Sequence, residues 1–156
     1  MAKIFNTCED ITKLIDDQFN ETGLSGYGVS LKIMSVTKSK DIIKLTKASA
    51  TTEYLTNKDS LVQIFVYEEA FERLSIEAQK MLIEMVLSNV AYDSEKDKLI
   101  VDSNPYNMLF RLRKKYGETI MNNLELASIV MTEIEEEEKA RKEAEREAKK
   151  AKKNNM

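Results

Sequence analysis

The sequence predicts an α+β fold: a small sheet of three to four strands with helices on one face, followed by a long charged helix. Three observations predict it. SLVQIFVYE, residues 60–68, is rich in β-branched and aromatic residues, as a strand requires. Ile11, Leu14, Ile15 and Phe19 recur at helical spacing, and so does the apolar face of 75–92. Beyond about Ile134 the chain is dominated by Glu, Lys and Arg.

In order, CEDITKLIDDQFN (8–20) reads as a helix that Thr7 can cap, with Glu9 and Asp10 in its first turn. TGLSGYG holds three of the four glycines and reads as a turn or loop. VSLKIMSV (29–36) alternates as a strand, with Val29, Leu31, Ile33 and Ser35 on one side. DIIKLTKASATTEYLT (41–56) suggests a second strand, then a loop or edge strand. After 60–68 comes a short turn or helix through Phe71 and Leu74, and Ser75 then caps a helix, SIEAQKMLIEMVLSNVAY. KLIVD (98–102) is a short extended piece. Ser103 or Asn104 caps a further helix with Pro105 at its first position, which stops at Gly117 behind Arg113, Lys114 and Lys115. The last helix starts near Glu118, and Ile120, Met121, Leu124, Leu126, Ile129 and Val130 are expected to pack on the domain. The reading is therefore a domain at 1–132 and a charged helical tail at 133–156. Over 133–153, eight Glu face eight Lys plus Arg, and pairs such as Glu135–Lys139, Glu137–Arg141, Glu138–Lys142 and Glu145–Lys149 have the favourable i, i+4 order. The tail has no apolar stripe, so it is not a self-sufficient coiled coil and is expected to be dispensable for folding.

Composition narrows the chemistry. The chain has 156 residues, one cysteine and no histidine. Without imidazole, Ser-His-Asp and Cys-His catalysis are excluded, and the commonest ligand of catalytic zinc is missing. Cys8 has no histidine to serve as its base. Two-carboxylate hydrolysis and oxygen-ligated Mg²⁺ or Ca²⁺ remain compatible with the composition. A net charge of −3 argues against the whole protein as an electrostatic nucleic-acid binder. No apolar run approaches the roughly 20 residues of a membrane span, and no signal-peptide block opens the chain, so no membrane and a cytoplasmic location are expected.

One resemblance adds to this. VQIFVYEEAFERL is followed by QKMLIEMVLSNVAYDSEKDKLIVDSNPYNMLFRLRKKYG. Strand, F-x-x-L segment, helix, acidic loop, short strand and a helix ending in Tyr-Gly resemble the phage metallopeptidase domain family, a small zincin-like fold. The likeness spans about 1–117 in element order and 62–117 in residue detail. The family's H-E-x-x-H would fall on Met85, Val86, Leu87, Ser88 and Asn89, and its third ligand near Asn104. None of these supplies an imidazole, and Val86 cannot act as a general base. The resemblance thus implies a degenerate, non-catalytic member with no metal and no cofactor, in the host cytoplasm or the virion, that binds another macromolecule. Another protein is the expected partner. The alternatives are a virion or assembly component and a nucleic-acid-associated regulator. An enzyme would have to work with carboxylates alone.

Competing readings stand beside each motif. Ser88 and Asn89 are either relics of a ligand site or a helix end where polar residues bond local carbonyls. Asp93, Glu95, Asp97 and Asp102 have the chemistry of a cation site, but DSEKDK lacks the glycine and terminal glutamate of a calcium loop and reads as solvated. Arg111, Arg113, Lys114 and Lys115 either touch phosphate or answer a helix dipole. Lys149, Lys150, Lys152 and Lys153 are either a contact for nucleic acid or an acidic partner, or a solubilising end. The eight methionines read as core filler.

Overall fold

The computed structural model describes residues 2–102 and 112–155. The start of the helix expected from 103 onward, with Asn104 and Arg111, lies outside the described residues, as does the side chain of Met121.

Four strands form a mixed sheet in the order β1-β2-β4-β3: β1 is Ile4–Asn6, β2 Ser30–Val36, β3 Ile43–Lys47 and β4 Leu61–Tyr67. β2 and β4 run parallel, with Ile33 opposite Ile64, while β1 and β3 close the two edges antiparallel. Period-2 alternation decides the faces. Leu31, Ile33 and Ser35 sit level with Val62, Ile64 and Val66, and Ile43 and Leu45 continue these rows on β3. This side joins the core with Ile11, Ile15 and Phe19 of α1 (Glu9–Glu21) and Leu82, Ile83 and Val86 of α4 (Ile76–Leu87). Lys32 and Lys44, on the other face, are exposed. Ser35 is fully buried on the inner face, and its hydroxyl bonds Thr7 Oγ1 at 3.1 Å.

Several expectations are corrected. β1 joins an edge of the sheet where the sequence suggested no strand. Cys8, not Thr7, is the N-cap of α1; its side chain does not cap, and its N–H is instead accepted by Glu68 Oε1 at 2.8 Å. The Thr-rich run is a helix, α2 (Ala50–Thr56), because the Ser49 hydroxyl accepts from the Thr52 N–H at its start. α3 (Glu68–Phe71) follows β4 directly, and Ser75 caps α4 as expected by accepting from the Ala78 N–H. α4 stops at Leu87 rather than running to Tyr92: Val90–Asp93 is β5, paired with β6 (Lys98–Val101) as a separate hairpin. Asp93 Oδ1 accepts the N–H groups of Glu95 and Lys96, so this acid holds the hairpin turn. The turn at Leu24–Tyr27 lies between Gly23 and Gly28, both at positive φ, and Tyr27 stacks on Tyr92 with ring centroids 5.4 Å apart.

A helix, α5, is described over 112–116 and ends at Gly117 in the left-handed conformation, as expected of a C′ residue. Leu112 there packs with Met81 and Ile120. The last helix, α6, runs Thr119–Asn154, 36 residues, or about 54 Å at ~1.5 Å per residue. Ile120, Val130 and Ile134 are buried, but Leu126 and Ile129, expected to pack, are each 46% exposed. The helix stays fastened past 132. Arg73 grips Glu137 with both guanidinium nitrogens at 2.8 and 3.1 Å, and Lys38 pairs with Glu138 at 3.2 Å. Glu137 and Glu138 thus reach the body rather than Arg141 and Lys142. The Arg73 hydrogen bond holds the Glu137 carboxyl below its ordinary range. The clamp is therefore made above the usual Glu range and is released as acid protonates Glu137.

From Lys139 to Asn155 the side chains are exposed. Removing 139–156 is expected to leave the melting temperature within about 2 °C of the full chain, since no buried contact is lost. Thermal melts of the two chains check this, and loss of a cooperative transition in the shorter one would contradict it.

Candidate functional site

Ser88 and Asn89 occupy the end of α4. Ser88 is its C-cap, and its hydroxyl donates to the Met85 carbonyl at 2.7 Å. The Asn89 N–H donates to the Val86 carbonyl, and the Asn89 carbonyl accepts the Asp102 N–H at 2.7 Å. These bonds turn the chain from α4 into β5 and tie that corner to the end of β6. The local reading of the polar pair has its partners in place.

Of the described positions matched to the metal motif, Leu87 and Ser88 border a cleft, while the ligand and base positions Met85, Val86 and Asn89 do not. Val86 is buried in the main core, and Met85 is half-buried against both apolar clusters. Asn89 lies beyond the helix, so the two positions do not share the regular helical turn from which H-E-x-x-H grips zinc. Asn104 is outside the described residues.

A cleft of about 650 Å³ lies beside Ser88, one face further round α4. Lys80, Glu84, Leu87 and Ser88 reach it at i, i+4, i+7 and i+8. α1 contributes Leu14, Asp17, Gln18 and Glu21 from the opposite wall, and Lys115 and Tyr116 of α5 close one end. Two helices far apart in sequence but packed on one another thus build one amphipathic groove, apolar at Leu14 and Leu87 and charged at its rim.

The Glu84 carboxylate is held by both the Lys115 ammonium and the Tyr116 hydroxyl. Lys115 Nζ also stands 5.3 Å from the centroid of the Tyr116 ring. Gln18 Oε1 is buried without a donor among the described residues. Near the same wall, burial and then the neighbouring Asp17 push the Asp16 carboxyl up.

The expected contact residues divide. Lys115 belongs to the cleft, while Arg113 and Lys114 are exposed beside it. Lys149, Lys150, Lys152 and Lys153 are exposed near the end of α6, along the helix from the cleft-bearing body. No signal in the sequence joins Asp17 and Gln18 to Glu84 and Lys115; the packing of α1 on α4 does so.

Cys8 Sγ and carboxylate oxygens of Glu68 and Glu72 lie within 4.8 Å of one another, a grouping the spacing did not suggest. One Glu68 oxygen is already committed to the Cys8 N–H. Burial, and then the acids beside it, push the Cys8 thiol up despite a lowering contact with the Ile11 backbone, which opposes the thiolate a metal requires. No described helix is long and apolar enough to cross a membrane.

Compared with family models, curated proteins and solved structures, the chain matches none.

Proposed function

We propose that this chain is a non-catalytic, phage-encoded protein of degenerate metallopeptidase-like, zincin-like fold that acts by binding another protein through the α1–α4 cleft, with α6 as handle or spacer. The observation that carries the reading is the way Glu84 is held in the cleft. It is the carboxylate in the cleft wall of α4, and Lys115 and Tyr116 hold it in place. Held from two sides, the side chain keeps one orientation at the cleft wall, which suits recognition of a partner. The amphipathic lining suits a partner side chain with an apolar stem and a polar end. The family likeness is supported by element order: β4, the Phe71–Leu74 segment, α4, a hairpin holding Asp93, and α5 closing on Tyr116–Gly117. At the matched metal positions, packing by Met85 and Val86 stands where ligands would.

Two measurements test this. Asp17→Arg with Lys80→Glu changes two exposed residues of the cleft and leaves the core untouched. A protein retained from host or infected-cell extract by the wild-type chain is expected to bind this variant about tenfold more weakly, roughly 1.4 kcal/mol. Retention that ignores the substitutions would sink the cleft as the binding surface. Retention of nucleic acid instead would favour the regulator reading, through Arg113, Lys114 and the terminal lysines. Secondly, the purified protein is expected to carry no stoichiometric zinc. Elemental analysis giving one zinc per chain would end the degenerate reading and direct attention to Cys8, Glu68 and Glu72. The protruding α6 also supports a virion or assembly role, in which the partner retained would be a structural protein.

A further inference from the structure

The chain holds 27 acidic residues in 156, yet none of the strands β1 to β4 contains one. The register sorts their side chains between the two faces. On the face away from α1 and α4, Asn6, Met34, Phe65 and Lys44 lie level in one row, and Lys32, Gln63 and Thr46 in the next. Lys32 and Lys44 are exposed, and neither makes an ion pair among the described residues. Met34 and Phe65 are half-buried and pack on neither buried cluster. Beyond these rows, Tyr67 shares a cavity with Met131 and Ile134 of α6, and at the other end Glu53 of α2 accepts the Leu61 N–H. Acids stand at these ends, where Glu138 is paired with Lys38 and Glu135 borders the same cavity as Lys40. The open part of the face is thus an aromatic ring on a central strand, a lysine on each flanking strand, and three side chains that both donate and accept hydrogen bonds.

We propose that this face binds single-stranded RNA, with a base stacked on Phe65 and phosphates held by Lys32 and Lys44. Charge selects the occupant: two unpaired lysines on strands without an acid suit a polyanion, even though the chain as a whole is acidic. The ring selects nucleic acid over an acidic peptide, because every base has a flat face to stack on it. A single strand is required, since a duplex keeps its base faces stacked on one another. The spacing fits. Lys32 and Lys44 lie two strands apart across the sheet and two residues apart along it, about 12 Å in all, with Phe65 between them. Gln63, Thr46 and Asn6 surround the ring, and their amides and hydroxyl serve base edges and the ribose 2′-hydroxyl, a group that is donor and acceptor at once and that DNA lacks. The face lies on the opposite side of the sheet from the α1–α4 cleft, so failure here would leave the cleft reading untouched.

Fluorescence anisotropy of a labelled oligouridylate of about ten nucleotides, titrated with the full chain, tests this. At about 50 mM salt the expected Kd is of order 10–100 μM, and log Kd should rise with log salt at a slope of about 1.4, two phosphates at ~0.7 each. Phe65→Leu keeps an apolar side chain on the strand but removes the flat ring, and is expected to weaken binding about tenfold. Lys32→Gln with Lys44→Gln changes only exposed residues and is expected to weaken it at least tenfold and to flatten the salt dependence. Thermal melts confirm that both variants fold. Replacing Lys149, Lys150, Lys152 and Lys153 with Gln, or Arg113 and Lys114 with Gln, is expected to leave binding unchanged, which separates the sheet from the other basic residues. Oligodeoxyuridylate of the same length is expected to bind several-fold more weakly, and polyglutamate not measurably. No anisotropy change at about 1 mM protein, binding indifferent to both sheet variants, loss of binding in the terminal-lysine variant, or equal binding of the deoxyuridylate or polyglutamate would each overturn the proposal.

Discussion

Phe71→Ala is expected to cost about 3–5 kcal/mol, the range for deleting a buried aromatic ring. Phe71 is 0% exposed at the end of α3, where β4 hands the chain over to the helical layer. Its ring is held by the core that joins sheet, α1 and α4, and its carbonyl accepts from Gln79 Nε2 at 2.8 Å, which fixes the corner on α4. The corner cannot collapse freely onto the space an alanine would leave, so the cavity persists and the cost stays high. Against a typical total of about 5–15 kcal/mol, this is a large fraction of the stability. Urea unfolding checks it: the midpoint should fall sharply with an unchanged slope. A cost under about 1 kcal/mol would contradict the described packing.

Ile134→Ala is expected to cost about 2–5 kcal/mol and to loosen α6 selectively. Ile134 is 3% exposed and is the last buried apolar residue on the helix. Beyond it, the fastening rests on the Arg73–Glu137 and Lys38–Glu138 pairs, which are solvent-exposed and too weak to hold the helix alone. Limited proteolysis should therefore show earlier cleavage within 119–138 of the variant than of the wild type. Equal protection would mean that the helix is held by something other than this contact. Because the cleft lies on α1, α4 and α5, partner retention is expected to survive this substitution even as stability falls.

The legible elements share one property: their signal is contained in a few neighbouring residues. The alternation of Leu31, Ile33 and Ser35 marked β2 and its buried side, and the β-branched run marked β4. Ser75 marked the start of α4, and Gly117 the end of α5, because a hydroxyl cap and a positive φ are local needs. The elements missed lack such a signal. β1 has three exposed residues, too short for a pattern, and exists because the edge of β2 offers partners for its backbone. α2 is poor in helix formers and buries nothing, yet Ser49 caps it. Val90–Asp93 continues a helical pattern in sequence, but the carbonyls and N–H groups of β6 claim it as a strand.

The candidate site follows the same division. The absence of imidazole, the charge order of α6 and the polar end of α4 are properties of residue types and spacing, fully present in the linear chain. Which face of α4 borders a cleft is not, because Glu84 finds Lys115 and Tyr116 more than 30 residues away, and Asp17 joins them from α1, far earlier in the chain. Nor is the fastening of Glu137 to Arg73, 64 residues apart, in place of the neighbour one turn along. Capping, turn formation and alternation involve groups only a few bonds apart. Strand partners, cleft walls and cross-chain ion pairs depend on where the buried faces of distant elements meet, a choice made by packing the whole core at once.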